Sequence, residues 1–566
     1  MKGKKKFLGR SFFNLKPQLV KEIFDFVFQK ARRFENQLDR FLATSTGKRI
    51  IKFILFSLII ISILRVFVIV VGHNPNFEYD EANGLQISRR SIADIRKILS
   101  YEQNFPLYYR LLHYLMLVFG NNGLVGVWSN FMIWLFSVYI FYHLLRIFFS
   151  SKRLVCFGVL IYILTPNLAY YAFTVRMYSL YNLVFLISLY AFLSYISQRK
   201  IVWLVIVGYS FLFLSLLHPS AIILLLVFFF IGLLTITKKR DFLLFSSFVI
   251  LAIVLLLTQL APKSKEVLVE RTYIPRALNY LWETKTHFFE FPALLLFFYG
   301  NWEIDQLGAE RAWLFVFFIL SLSFFYKFRK KDFLSQRKYL VILCFLMAFC
   351  CLPLLTSNFL SKHLIFLISP YLLVFFVGLS LFPRRQLKYL AVLVFFIFSL
   401  FTSFWVNKIY SQRDYYQRLC QNLNSLERGV ILVSLGLHSP INHCRNLENL
   451  PMLMFFSNKV KDISEDKTLD ILIYKAKQGG QNFNNWSVSS RRGFEFALKS
   501  EAGVKMKQMI KEKTKNENQV YFIMEHPQGQ IDPNQFNLLG KDFRFEKFLD
   551  PDISVFIKNE KLEKTL

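Results

Sequence analysis

Acidic residues and cysteine are both scarce in this 566-residue chain: 37 Asp and Glu stand against 69 Lys and Arg, for a formal charge of +32, and there are 6 cysteines. No Cys-x-x-Cys pair occurs, and the cysteines fall at no spacing that suits a structural metal. Cys156, Cys344, Cys350 and Cys351 lie in apolar runs, where a thiol packs as a small hydrophobe. Cys420 and Cys444 are free to pair if their segment lies outside the cytoplasm. The zinc-protease pattern HExxH is absent, and His438, His443 and Cys444 match no metal-ligand spacing. A phosphate loop is excluded at Thr46–Gly47–Lys48, since Leu42 stands where the first glycine belongs and Arg49 where the Ser or Thr belongs. There is no repeat of fixed period, which excludes a solenoid. Zinc-finger and RNA-recognition signatures are also missing, so the basic excess does not read as nucleic-acid binding. The first 49 residues are basic but broken by acids, with no small-residue cleavage site after the first apolar run, unlike a cleaved signal peptide.

What is abundant is apolar surface. Hydrophobic residues make up 54% of the chain, Phe alone numbers 66, and mean hydropathy is positive. A soluble fold of this size has no interior large enough to hide so much, so the chain reads as an α-helical polytopic membrane protein. Apolar runs predict spans at residues 51–71, 124–145, 154–171, 178–197, 201–217, 219–235, 242–260, 312–328, 339–356, 364–382 and 387–406, about eleven crossings.

With the basic arm 1–50 inside, every connection expected to be cytoplasmic is short and basic: Arg146 with Lys152 and Arg153, Arg199–Lys200, Lys238–Arg240, Lys327 to Lys338, and Arg384, Arg385 and Lys388. Residues 107–120 and 291–300 are too short to span and read as interfacial or re-entrant helices. Three parts then face outward: a first loop, 72–122; a second, 261–311; and residues 407–566. This last part alternates β-like runs (430–435, 469–474, 520–524, 553–557) with polar helical stretches, a small extracytoplasmic α/β domain. The expected location is a bacterial inner membrane, with the N-terminus cytoplasmic.

Candidate chemistry gathers on the outer side. Asp80–Glu81 follows the first span, and a carboxylate at the mouth of a membrane cavity suits a general base acting on an incoming hydroxyl. Transfer of a sugar from a lipid phosphate needs no acid partner, because the departing phosphate is a weak base; a glycosidase needs two carboxyls. The plainer reading of Asp80 is the N-cap of a helix over 81–99. Arg176, between two spans at their expected outer ends, suits a phosphate because its fork meets oxyanions bidentately, although a snorkelling arginine would also sit there. Lys362 and His363 occupy a similar outer position, and Arg271, Arg276 and Lys285 either guide a donor headgroup or form a solvated basic face. His218 precedes Pro219 at another outer turn, as a packed imidazole or a site residue.

In order along the chain, these residues resemble motifs of the GT-C superfamily of membrane glycosyltransferases, of the protein O-mannosyltransferase and aminoarabinose-transferase type. Asp80–Glu81 follows the first span. Asn104–His113 (NFPLYYRLLH), then Phe119–Gly120, stands where the family has an HPPLYYLLLH-like segment. Leu164–Pro166, Tyr170, Tyr171 and Arg176–Tyr178 look like its "sP…ys…aRmYsL" stretch, and Ser361–Pro370 (SKHLIFLISP) like its late "RYl…P" stretch. Asn104–Phe105 replaces the family's His-Pro, and Lys362–His363 its Arg-Tyr.

The likeness covers roughly residues 50–410. It implies inverting transfer from a polyprenyl-phosphate sugar to an acceptor protein, lipid or glycan, with Asp80 as base, Glu81 in support and Arg176 on the donor phosphate. It also implies a juxtamembrane helix over 107–120, and a substrate site lined by Asn104, Tyr108, Tyr109, Tyr178 and His218. No cofactor is expected, and a divalent metal is left open. The competing reading is a transporter or flippase of a lipid-linked glycan, which calls for matched broken helices in two halves and polar groups within the spans. Here the polar anomalies collect on one face.

Overall fold

The computed structural model describes residues 44–72, 77, 79–100, 105–260, 339, 341, 365–366 and 368–381, together with strands at 430–433, 453–454, 520–525, 543–550 and 553–558. Helices dominate. In chain order they are α1 (Ser45–Val71), α2 (Tyr79–Ser88), α3 (Ile92–Ser100), α4 (Pro106–Phe119), α5 (Leu124–Phe148), α6 (Lys152–Leu164), α7 (Pro166–Tyr171), α8 (Tyr178–Gln198), α9 (Ile201–Leu217), α10 (Ala221–Thr235), α11 (Lys239–Leu260) and α12 (Ile368–Leu381). Among the described residues, α1, α5, α8 and α11 are long and apolar enough to cross a bilayer; α9, α10 and α12 are shorter apolar helices. The expected spans at 312–328 and 387–406, the short piece at 291–300 and nearly all of 339–356 lie outside the described residues.

The bundle is wound around α8. Of its apolar window 72% is buried, against 11% for α1, so α8 is the axle and α1 a lipid-facing flank. Close approach uses small residues, as membrane helices require. Gly158 on α6 receives Leu145 of α5, Gly208 on α9 receives the Phe248 ring of α11, and Gly232 on α10 receives Phe245.

Two expected helices are broken, each for a local reason. The run 154–171 stops at Leu164, because Thr165 precedes a proline and is extended; Pro166, which has no N–H to donate, opens α7 instead. The helix expected over 81–99 is two helices. Ser91 caps the second, its Oγ accepting from the Asp94 N–H at 3.2 Å and donating to Asp94 Oδ2 at 2.7 Å. The run beginning at Pro219 becomes regular only at Ala221.

The basic turns that join the long helices, at 146–153, 199–200 and 238–240, lie at one end of the bundle. There α8 ends on Arg199 in the left-handed region (φ 57°), its guanidinium donating to the Thr235 carbonyl at 3.4 Å and lying over the Tyr195 ring. Tyr195 in turn donates to the buried Asp241 at 2.6 Å, tying α8 to α11. The opposite end carries α2, α3, α4 and the 172–177 connection.

Strands β1 (Val430–Val433), β2 (Leu453–Met454), β3 (Val520–Glu525), β4 (Phe543–Asp550) and β5 (Ile553–Lys558) form one mixed sheet in the order β2-β1-β3-β5-β4. The pairs β1–β2 and β1–β3 are parallel, and β3–β5 and β4–β5 antiparallel. Three of the β-like runs fall on β1, β3 and β5. The run at 469–474 lies outside the described residues, and β2 and β4 were not anticipated.

Candidate functional site

The centre of the site end is the connection between α7 and α8. Its residues Phe173, Thr174, Val175 and Met177 are buried and only Arg176 is part-exposed. A buried connection must satisfy its backbone polar groups, and here side chains from elsewhere do so. The Val175 N–H donates to Glu81 Oε1 at 2.6 Å across 94 positions of sequence. Asn130, fully buried on α5, donates its amide to the carbonyls of Thr174 and of Arg176, the latter at 3.1 Å. Its Oδ1 accepts from the Tyr108 hydroxyl of α4 at 3.3 Å. Thr174 adds its own hydroxyl to the Tyr170 carbonyl at 2.8 Å. Three elements thus converge on three residues, with α4 joined to them through Asn130, and Arg176 is held by its backbone.

Tyr108 sits between charges of opposite sign. Burial first of all, with the Glu81 charge, pushes its phenol well above the usual tyrosine range, against the opposing pull of the Asn130 hydrogen bond and of Arg176. The Arg176 guanidinium lies 5.7 Å from the centre of the Tyr178 ring at the start of α8. Tyr178 borders Tyr171 (ring centres 4.9 Å apart) and His218 (6.1 Å), and Tyr181 reaches the same imidazole at 5.6 Å. His218 is fixed at the turn into α10. Its Nδ1 accepts from the Ser220 N–H at 3.1 Å, which leaves the neutral ring's proton on Nε2. Tyr181 Oη and Ser220 Oγ are 3.0 Å apart.

The sequence-expected residues therefore divide. Glu81, Tyr108, Arg176, Tyr178 and His218 come together at one end. Tyr109 is buried there too, its ring edge-on to Tyr108 and close to where a Cβ on Gly84 would sit. Asp80 lies in the first turn of α2, one residue from the Glu81 that reaches the Arg176 connection. Asn104, Arg271, Arg276, Lys362 and His363 lie outside the described residues. Asn130 was missed, although an amide inside an apolar span is itself a signal. Among the described residues no three His, Cys, Asp or Glu side chains gather as a metal site.

The fit between α5 and the connection is close. A Cβ added at Gly126 would meet Val175 Cγ1 at 2.6 Å, and Val175 is β-branched with little freedom to turn. Gly126→Ala is expected to push the connection away and lower both thermal stability and activity. Val175→Ala in the same chain should recover most of both, read by unfolding temperature and turnover; no recovery would mean that this contact does not position the connection.

The chain's similarity to known proteins is visible in structure alone: no family model and no curated protein sequence matches it. The crystal structure of ArnT from Cupriavidus metallidurans bound to undecaprenyl phosphate superposes with a TM-score of 0.52 at 13% identity, over 92% of this chain and 99% of that one. The apo form of the same protein gives 0.50 at 12% identity, over 89% and 97%. The chain shares its fold with these two ArnT structures.

Proposed function

We propose that this protein is an inverting membrane glycosyltransferase that moves a sugar from a polyprenyl-phosphate donor to an acceptor hydroxyl at the extracytoplasmic face. The observation that carries this reading is the Glu81–Val175 hydrogen bond, because it draws the α2 acid pair and the Arg176 connection together at one end of an apolar bundle. The opposite end bears the short basic turns that join the long helices, which by the positive-inside rule belong in the cytoplasm, and this supports a site on the outer side. The undecaprenyl phosphate bound to the ArnT of similar fold supports a polyprenyl phosphate here.

In this mechanism Asp80 takes the proton of the acceptor hydroxyl as its oxygen attacks the anomeric carbon from the face opposite the phosphate. A new carbon–oxygen bond forms, the bond to the phosphate oxygen breaks, and the electron pair leaves with the lipid phosphate. Arg176 meets the charge that builds on that phosphate, in surroundings made of aromatic rings that keep water away. Glu81 acts through the backbone by holding Val175, and so is a positioning residue. Arg271, Arg276, Lys362 and His363 are further candidates for the donor headgroup. Residues 407–566 form an extracytoplasmic domain of the same enzyme, anchored in a bacterial inner membrane.

The test is direct. Purified protein is incubated with a panel of polyprenyl-phosphate sugars and candidate acceptors, and products are read by mass spectrometry. A sugar adduct with release of the polyprenyl phosphate is the expected result. Vectorial movement of a lipid-linked glycan in vesicles, with no product from any donor, would replace the enzyme with a transporter.

A further inference from the structure

We infer that the outer flank of α4 is a binding surface for the phosphate of an anionic phospholipid, with Arg110 as its central cation. This does not depend on the transfer reaction. Helix α4 has two unlike faces. Tyr108, Tyr109, Leu112 and Met116 are buried, whereas Tyr114 (57% exposed), Leu117 (68%), Val118 (73%) and Phe119 (70%) are open. Such a patch is unusual on a water-facing surface. Through the turn at Gly120–Gly123 it leads into the stripe Trp128, Met132, Phe136 and Tyr139, exposed along the bilayer-length helix α5. The flank therefore sits in the membrane interface.

Arg110 lies on that flank, sharing a stripe with Tyr114 and Leu117 at helical spacing, and nearly opposite Tyr108, which turns to the Asn130 network. Its Nε is buried, and among the described residues no hydrogen bond or ion pair reaches the side chain. Glu81 of α2 turns to Val175 and Asp94 of α3 to Ser91. One turn after Arg110, His113 Nδ1 lies 2.8 Å from the Ser88 carbonyl, which brings the end of α2, with Arg89 and the exposed Arg90, against this part of α4. A guanidinium fork without a counter-charge, beside two more arginines and bordered by apolar side chains, fits a phosphate whose acyl chains lie along Leu117 and Phe119. Facing away from the Asn130 network, it fits a resident phospholipid better than the donor.

The experiment uses the full chain in phosphatidylcholine nanodiscs carrying a photoactivatable phosphatidylglycerol, with cross-links mapped to peptides. Labelling is expected on 106–119, displaced by unlabelled phosphatidylglycerol and not by more phosphatidylcholine. Arg110→Gln should lower it roughly tenfold, the loss of one charge-assisted contact. Arg110→Lys should fall between, and Arg153→Gln at the other end should leave it unchanged. Equal labelling in wild type and Arg110→Gln would overturn the proposal. So would equal labelling by a phosphatidylcholine probe, measured on the unaltered protein, or displacement by undecaprenyl phosphate alone, which would assign the surface to the donor.

Discussion

Asp80→Asn is expected to leave the protein inserted and folded while lowering transfer roughly 10²–10⁴-fold, the range that a positioned general base contributes. Asparagine keeps the shape and the first-turn position in α2. What it loses is a helix-dipole interaction of about 0.3–1 kcal/mol, too little to unfold a bundle of this size. The decisive control is the neighbouring acid. Glu81 is fully buried and uses Oε1 to accept from the Val175 N–H, a role that a glutamine oxygen can fill. Glu81→Gln should therefore retain much of the turnover. Glu81→Ala leaves that N–H buried without a partner, at about 1–3 kcal/mol, and should lower stability and activity together. Turnover with a saturating donor, beside unfolding temperatures of all three variants, separates the roles. Wild-type turnover in Asp80→Asn, or the reverse ranking of the two isosteric variants, would move the base to Glu81.

The parts of this arrangement that could be read ahead of the structure are those written in local pattern. Apolar runs give α5, α8, α9 and α11 to within three residues at each end, because hydrocarbon tolerates little else over such lengths. Alternating basic turns foretold that Glu81, Arg176 and His218 would share an end. The breaks at Thr165–Pro166 and at Ser91 were legible in retrospect, since a residue before proline resists the helix and Ser-x-x-Asp is a capping pattern. Long-range pairing was a different matter. No periodicity joins Glu81 to a backbone N–H 94 positions away, and Asn130 looked like one polar residue in an apolar run. A side chain that serves someone else's backbone leaves no trace at the position it serves. That is why Arg176 could be picked out as a candidate from sequence and its mounting could not.

The mounting can be separated from the guanidinium by a double-mutant cycle. On the proposed mechanism, Arg176→Ala removes a charge-assisted contact to the donor phosphate, about 1.5–3 kcal/mol, and is expected to raise the donor KM roughly ten- to a hundredfold. Asn130→Ala touches no substrate in this reading. It frees the Thr174 and Arg176 carbonyls from the amide that joins them and removes the acceptor for Tyr108, so the connection is no longer held at that point. Its effect on the donor KM should be transmitted through Arg176. Once Arg176 is alanine, Asn130→Ala should therefore raise the donor KM little further, a coupling of about 0.5–3 kcal/mol. Asn130→Asp sharpens the test, because it still accepts from Tyr108 but has no N–H for the two carbonyls. If Asn130 sets the arginine, Asp should resemble Ala in donor KM, since its carboxylate is repelled by the two carbonyls that the amide held. If Asn130 only holds α4 to α5, Asp should behave like wild type in KM and the double mutant should be additive, which would leave Arg176 without the support argued for it.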